Sequence, residues 1–135
     1  MKIKVGDSAS VTKTITEADI QAFGDLCGDH NPLHFDEQHA RRTRFGRPIS
    51  HGMLTGSLFS PIIAHQLPGA GAIYLYQSLK FVAPVFAGDT ITATLTVRHV
   101  RSDKPIITLD GFATNQNGEV VIKGESVVFV EALAP

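Results

Sequence analysis

Gly52-Met53-Leu54-Thr55-Gly56-Ser57-Leu58-Phe59-Ser60-Pro61-Ile62-Ile63-Ala64-His65-Gln66-Leu67 is the segment whose reading decides the fold. Met53, Leu54, Leu58, Phe59, Ile62 and Ile63 point to several sides of a helix drawn through it. A helix that is apolar on most sides is a buried helix. At 1.5 Å per residue it would run roughly 24 Å. Pro61 falls inside it and predicts a kink or an early break, because the ring clashes with the carbonyl four residues back. Thr55, Ser57, Ser60, Pro61 and His65 interrupt the apolar tract, which is too short and too polar to span a bilayer.

After Pro68-Gly69-Ala70-Gly71 the hydrophobic period changes from helical to alternating. Thr90 to Val97 puts Ile91, Ala93, Leu95 and Val97 on one face and four threonines on the other. Ile73–Val82, Ile106–Thr114 and Val120–Val130 are likewise rich in β-branched and aromatic residues. Gly88-Asp89 and Asn117-Gly118 mark reversals, and Asn-Gly between apolar runs signals a hairpin. The C-terminal half therefore reads as an antiparallel meander of about four long strands. Its apolar face needs a cover, and the buried helix is the large candidate. The expected fold is α+β, one antiparallel sheet curled around one long central helix, forming one domain over residues 1–135. A single short sheet leaves edges, and pairing two copies would remove some of them, so a homodimer is expected.

Upstream, Ser10–Ile15 alternates weakly as a first strand. Thr16-Glu17-Ala18-Asp19 has the form of a helix start, with Thr16 as N-cap and Asp19 three residues on. Ile20, Phe23 and Cys27 (or Leu26) carry helical spacing, and Gly28 is a natural stop. Asp36–Arg42 reads as one or two helical turns, and Arg44–Ser50 as a loop.

The chain is 43% hydrophobic with a net charge of −1, which gives no electrostatic case for nucleic acid or an anionic membrane. One cysteine, Cys27, rules out an internal disulfide and suits a reducing compartment. The N-terminus has no apolar run of signal-peptide length, so a cytoplasmic location is expected.

Between the first helix and the Asp36 turns lies Gly28-Asp29-His30-Asn31-Pro32-Leu33-His34. Gly28 and the Asn31-Pro32 pair argue against a regular helix, and Pro32 biases Asn31 toward an extended conformation. A carboxylate and an imidazole on one stiff loop can take a proton from water and return one elsewhere. The plainer reading is a surface turn in which Asp29 caps the helix near Asp36. Asp29, His30, His34, Asp36 and His39 also form a dense set of metal-ligand types. Pro32, between His30 and His34, opposes the helical spacing that a metal pair would use. At the entry of the buried helix stands His51-Gly52-Met53. The first N–H groups of a helix lack intrahelical partners, and bare Gly52 lets an oxygen approach its N–H. That is the form of an oxyanion hole for a thioester carbonyl. An ordinary cap at Ser50 or His51, with Gly52 for close packing, reads equally from the same residues.

Phe23 through Ala40, followed by Arg44-Phe45-Gly46-Arg47-Pro48-Ile49-Ser50-His51-Gly52, resembles the hydratase 2 motif of (R)-specific enoyl-CoA hydratases and MaoC-like dehydratases. The resemblance extends over essentially the whole chain, including the Pro84-Val85-Phe86-Ala87-Gly88-Asp89 turn. It is greatest to the short stand-alone hydratases that feed polyhydroxyalkanoate synthesis from β-oxidation. It implies a hot-dog fold and a homodimer. It implies Asp29 and His34 as the catalytic pair, the Gly52 N–H as oxyanion donor, and Asn31 as the residue that orients the loop. It also implies Ser60 near the site, although Ser60 lies about 12 Å along a straight helix from Gly52 and Pro61 beside it departs from the pattern. The acyl tunnel would be lined by Ile63 and Val128. The implied reaction is reversible hydration of a trans-2-enoyl-CoA to (R)-3-hydroxyacyl-CoA. CoA is then part of the substrate, and no metal or other cofactor is expected. Arg41, Arg42, Arg44 and Arg47, and more weakly Lys104, are candidates for its phosphates. The alternatives are a dehydratase acting on another CoA or acyl-carrier-protein thioester, a hot-dog thioesterase, and a non-catalytic acyl-CoA-binding subunit.

Overall fold

The structure is a computed structural model that describes residues 2–131. The chain runs through β1 (Ser8–Thr14), α1 (Glu17–Cys27), α2 (Pro32–Phe35), α3 (Glu37–Arg41), α4 (Gly52–Gly56) and α5 (Phe59–His65). It continues through β2 (Ala72–Gln77), β3 (Lys80–Phe81), β4 (Thr90–Val100), β5 (Ile106–Thr114) and β6 (Val120–Val130). The strands form one antiparallel sheet in the order β1-β4-β5-β6-β2, with β3 also pairing with β6.

The alternation in β4 does what its pattern predicts. Ile91, Ala93, Leu95 and Val97 are buried, and the threonines face outward. There they meet the hydroxyls of β1: Ser8–Thr96, Ser10–Thr94, Thr12–Thr92 and Thr14–Thr90 pair at 3.2, 2.8, 3.0 and 2.9 Å. Such cross-strand hydroxyl pairs each add a few tenths of a kcal/mol and help hold the register, at about 0.2–1 kcal/mol per pair. The Asn117-Gly118 reversal joins β5 to β6, with Gly118 at φ +76°.

The meander is only partly as expected. β4, β5 and β6 follow one another, but the Ile73–Val82 strand does not sit next to β4. It lies across the sheet beside β6, and it is broken into β2 and β3. The break is where Ser78 folds against β6: Ser78 N–H donates to the Glu125 carbonyl, and Glu125 N–H to Ser78 Oγ, both at 2.9 Å.

The central helix is also shorter than expected. The Gly52–Leu67 segment forms two helices, α4 and α5, separated at Ser57-Leu58. Pro61 sits in the first turn of α5, where it lacks the N–H that would bond Ser57. Leu58 and Ser60 instead bond three residues back, to Thr55 and Ser57. Of the kink or early break expected at Pro61, the structure shows the break, one turn ahead of the proline. α5 still fills the sheet. Phe59, Ile62 and Ile63 pack with Leu58 and Leu67 on the inward residues of β4, β5 and β6. Gly111 at the middle of β5 makes room for this, since a Cβ there would lie 2.9 Å from the Phe59 ring.

α1 follows its sequence signals closely. Thr16 and Asp19 bond each other's backbone N–H groups at 3.1 and 2.9 Å, and Gly28 closes the helix at φ +86°. The Thr16 N–H and the Lys13 ammonium hold the Asp19 carboxyl below the usual carboxylate range. Among the described residues, no helix is long and apolar enough to cross a membrane.

Gly124 lets the Ser78 joint lie on β6: a Cβ there would stand 2.2 Å from the Ser78 carbonyl oxygen. The obstruction is backbone, which cannot swing aside. Gly124→Ala is expected to destabilise the fold by about 1–3 kcal/mol, read as a lowered urea midpoint at unchanged slope.

Candidate active site

Gly28 reverses the chain out of α1, and Gly24 lets it fold back closely. A Cβ on Gly24 would meet the Phe35 ring at 2.8 Å and the Asp29 carbonyl at 2.9 Å. Asn31 is extended, at φ −53° and ψ 127°, as the following proline requires. Its side chain accepts from Leu33 N–H at 3.1 Å and caps a single helical turn, α2, with Pro32 at the first position. The stiff loop of the sequence reading is therefore loop for Asp29–Asn31 and helix from Pro32. His34 lies on that turn. Asp29 does not cap the helix near Asp36; Asp36 itself caps α3, accepting from Gln38 and His39 N–H. Asp29 Oδ1 accepts from Asn31 N–H at 3.1 Å.

Two carbonyls orient the imidazoles here. His34 Nδ1 donates to the Ile49 carbonyl at 2.7 Å. A carbonyl only accepts, so the neutral ring carries its hydrogen on Nδ1 and leaves Nε2 as a lone pair. Nε2 faces Asp29 Oδ2 at 3.8 Å, too far for a direct hydrogen bond and close enough for both to share one water. The His34 side chain is 10% exposed and that of Asp29 47%, so the pair stands between core and solvent.

His51 is the residue that sequence reasoning missed as a member of the site. It is 2% exposed, and its ring stacks on His34 with centroids 3.9 Å apart. Its Nε2 donates to the Asp29 carbonyl at 3.0 Å. The one signal for it was its place before Gly52, which a helix cap explains equally; in fact its side chain makes no cap bond. His30 is drawn away to Asp25 Oδ1 at 2.8 Å.

Donor atoms of Asp29, His34 and His51 lie within 4.8 Å of one another. Their orientation fits a metal poorly. Ring lone pairs lie in the ring planes, and the two imidazoles are stacked within 32° of parallel, so those lone pairs do not converge on one ion.

His34 forms part of the wall of two cavities. One, of about 400 Å³, is lined by Glu17, Gln21, Glu37, Arg47 and Phe86. The other, of about 330 Å³, is mainly apolar and is lined by Met53, Phe81, Val82 and Ile122, with the start of α4 at Gly52. The apolar cavity thus brings together His34 and Gly52. Ser60 lies exposed on α5 and lines neither cavity. Ile63 and Val128 are core residues, 3% and 0% exposed, and also line neither; the apolar cavity is lined instead by Phe81, Val82 and Ile122. Of the arginines, Arg44 borders the apolar cavity and Arg47 the polar one, each beside an aromatic ring, Phe45 and Phe86.

Residues 3–115 match the family described as MaoC like domain. An (R)-specific enoyl-CoA hydratase of Aeromonas caviae is 48% identical over 126 residues, 93% of this chain and 94% of its own. Another from Rhodospirillum rubrum is 48% identical over 130 residues, 96% of this chain and 90% of its own. A solved structure described as the (R)-hydratase from A. caviae involved in PHA biosynthesis superposes with a TM-score of 0.92. It has 47% sequence identity and covers 96% of this chain and 98% of its own.

Asn31→Ala removes the cap of α2 and is expected to lower stability by about 1 kcal/mol. Asn31→Asp, which keeps an acceptor, should recover most of that loss in parallel urea titrations.

Proposed function

The chain belongs to the MaoC-like domain family, with its hot-dog fold, and on that premise we propose how its site works. The protein is an (R)-specific enoyl-CoA hydratase, a hydro-lyase that adds water reversibly across a trans-2-enoyl-CoA to give the (R)-3-hydroxyacyl-CoA. The observation that carries the mechanism is the fixed His34 tautomer, with Nε2 facing Asp29 across the width of one water.

The enoyl chain lies in the apolar cavity, and its thioester oxygen accepts from the Gly52 N–H. This draws electrons toward the carbonyl and makes C3 electrophilic. Water donates one hydrogen to His34 Nε2 and the other to Asp29 Oδ2. As the water oxygen bonds to C3, His34 takes its proton and the C2=C3 pair moves into an enolate held at Gly52. The proton on Nε2 then passes to C2, so the net change is addition of H and OH. Asp29 orients the water and faces the imidazolium while it lasts. Asn31 acts through the backbone of the loop. Arg44 and Arg47 line the two cavities and supply the cations that CoA phosphates would need. No metal or other cofactor takes part. The product is the monomer class from which polyhydroxyalkanoates are built, and we place the enzyme between β-oxidation and that polymer in the cytoplasm. The single cysteine and the role printed for the A. caviae hydratase support this placement.

Loss of crotonyl-CoA absorbance tests the mechanism. Wild type should hydrate it, unaffected by EDTA, to the (R) product. Asp29→Asn and His34→Gln should each lose at least about 100-fold in kcat, the range of general acid–base catalysis. Equal rates in all three would reject the pair. Release of free thiol without hydration would favour a thioesterase, and binding without turnover a non-catalytic subunit. Substrates of six, eight and ten carbons would then define the length that the cavity accepts.

We also propose that two copies associate through β2. It is an edge strand, and Ile73, Tyr74, Leu75 and Tyr76 are all exposed on it. An open edge with apolar side chains on both faces invites a partner strand. Light scattering behind size exclusion should give twice the mass of the chain at micromolar concentration, and Leu75→Glu should shift it toward one chain. A wild-type monomer under those conditions would reject the pairing.

A further inference from the structure

His51 touches both halves of the acid–imidazole pair and has no part in the mechanism above. It is the only buried histidine among the described residues. Phe23 and Phe35 enclose its ring, with centroids at 4.9 and 5.7 Å, while the ring face meets His34 at 3.9 Å. One nitrogen, Nε2, is spent on the backbone carbonyl of Asp29 at 3.0 Å. The other, Nδ1, is buried and has no partner. A buried imidazole with an idle nitrogen is costly to place, because the unmet polar group has lost its water. A leucine or phenylalanine would fill the same space without that cost. The histidine therefore gives this position something that an apolar side chain does not: a ring hydrogen directed at Asp29.

We propose that His51 is a positioning residue for hydration, its Nε2–H fixing the Asp29 carbonyl while its ring face supports the His34 imidazole. One side chain thus sets the separation of Nε2 of His34 and Oδ2 of Asp29 from both sides. The inference rests on the hydratase reading. Without His51, the Asp29 carboxylate keeps its bond from Asn31 N–H and the His34 ring its bond to Ile49, but nothing ties the Asp29 carbonyl to the face of that ring. The pair then loses its common reference, and a shared water is no longer held by two atoms at a fixed spacing. Misplacement of this order lowers turnover more than substrate affinity.

The test uses two variants and one measurement on the wild type. His51→Phe keeps an aromatic face for His34 and removes the donor. His51→Gln keeps a donor toward Asp29 and removes the ring. With crotonyl-CoA, His51→Phe should lose about ten-fold or more in kcat with KM changed less than about three-fold. His51→Gln should retain more turnover than His51→Phe. Thermal melts give the folded fraction, so that rates are compared per folded molecule. Turnover per folded molecule equal to wild type in both variants would overturn the proposal, as would a loss confined to KM. Long-range ¹H–¹⁵N spectra of the wild type decide the matter even if neither variant folds. They should place the ring hydrogen of His51 on Nε2 and that of His34 on Nδ1. A His51 hydrogen on Nδ1 would overturn the proposal, since Nε2 then cannot donate to Asp29. Absence of wild-type hydration on any chain length would instead reject the hydratase reading, and the spectra are independent of it.

Discussion

Four consecutive residues, Ile49 to Gly52, hold the site to the fold. The Ile49 carbonyl fixes the His34 tautomer, and its N–H bonds back to Leu33 at 3.3 Å. Ser50 N–H bonds the Val85 carbonyl at 2.7 Å, which ties the segment to the turn before β4. His51 reaches the Asp29 carbonyl, and Gly52 opens α4 toward the apolar cavity. Ser50 and His51 are almost fully buried, so this stretch cannot move without opening the core. The Asp29–His34 loop is thereby bonded to a part of the chain remote in sequence. The stiffness that Pro32 and Asn31 give the loop locally is completed by these long-range bonds. A loop stiff by itself would still need something to aim it.

The legibility of this protein in its sequence follows the range of the interactions. The ends of β5 and β6, the Thr16–Asp19 capping box and the Gly28 stop were readable because each depends on residues within a few positions. Pro61 signals a kink or an early break, and the break at Ser57-Leu58 is the second of these. Which of the two occurs is set by the neighbouring bonds: Pro61 cannot donate to the Ser57 carbonyl, Ser60 N–H takes it instead, and the helix ends ahead of the proline. The place of β2 was not readable at all. Periodicity says that Ala72–Gln77 is extended, and says nothing about whether β4 or β6 accepts it. The strand pattern there is not even alternating, since the residues from Ile73 to Tyr76 all remain exposed.

The site divides in the same way. Asp29 and His34 stood out because a carboxylate, a histidine and an Asn-Pro pair within seven residues form a local pattern. His51 did not, because its partners are the Asp29 carbonyl and the His34 ring, and no spacing in the sequence encodes those contacts. Ile63 and Val128, expected along an acyl tunnel, lie in the core for a related reason. Apolar character marks a residue for burial, and the core needs it as much as a tunnel does. In the fold both are taken by the core. The cavity beside Gly52 is walled instead by side chains that the core leaves partly open, Met53, Phe81 and Val82.

Gly52 shows how one residue identity can answer to two causes. A Cβ at this position would lie 2.6 Å from the Phe81 ring, so packing alone accounts for glycine there. The argument for its N–H is separate. It rests on the place of that N–H at the start of α4, in the wall of a cavity that also contains His34. Phe81 joins the two causes. Its ring covers the Gly52 Cα and at the same time lines the cavity, so the packing that demands glycine also shapes the space in front of the N–H. A side chain at residue 52 would displace that ring before it met any substrate. The bare backbone therefore suits the proposed carbonyl-binding role through the wall it allows Phe81 to build, as well as through the access it leaves open.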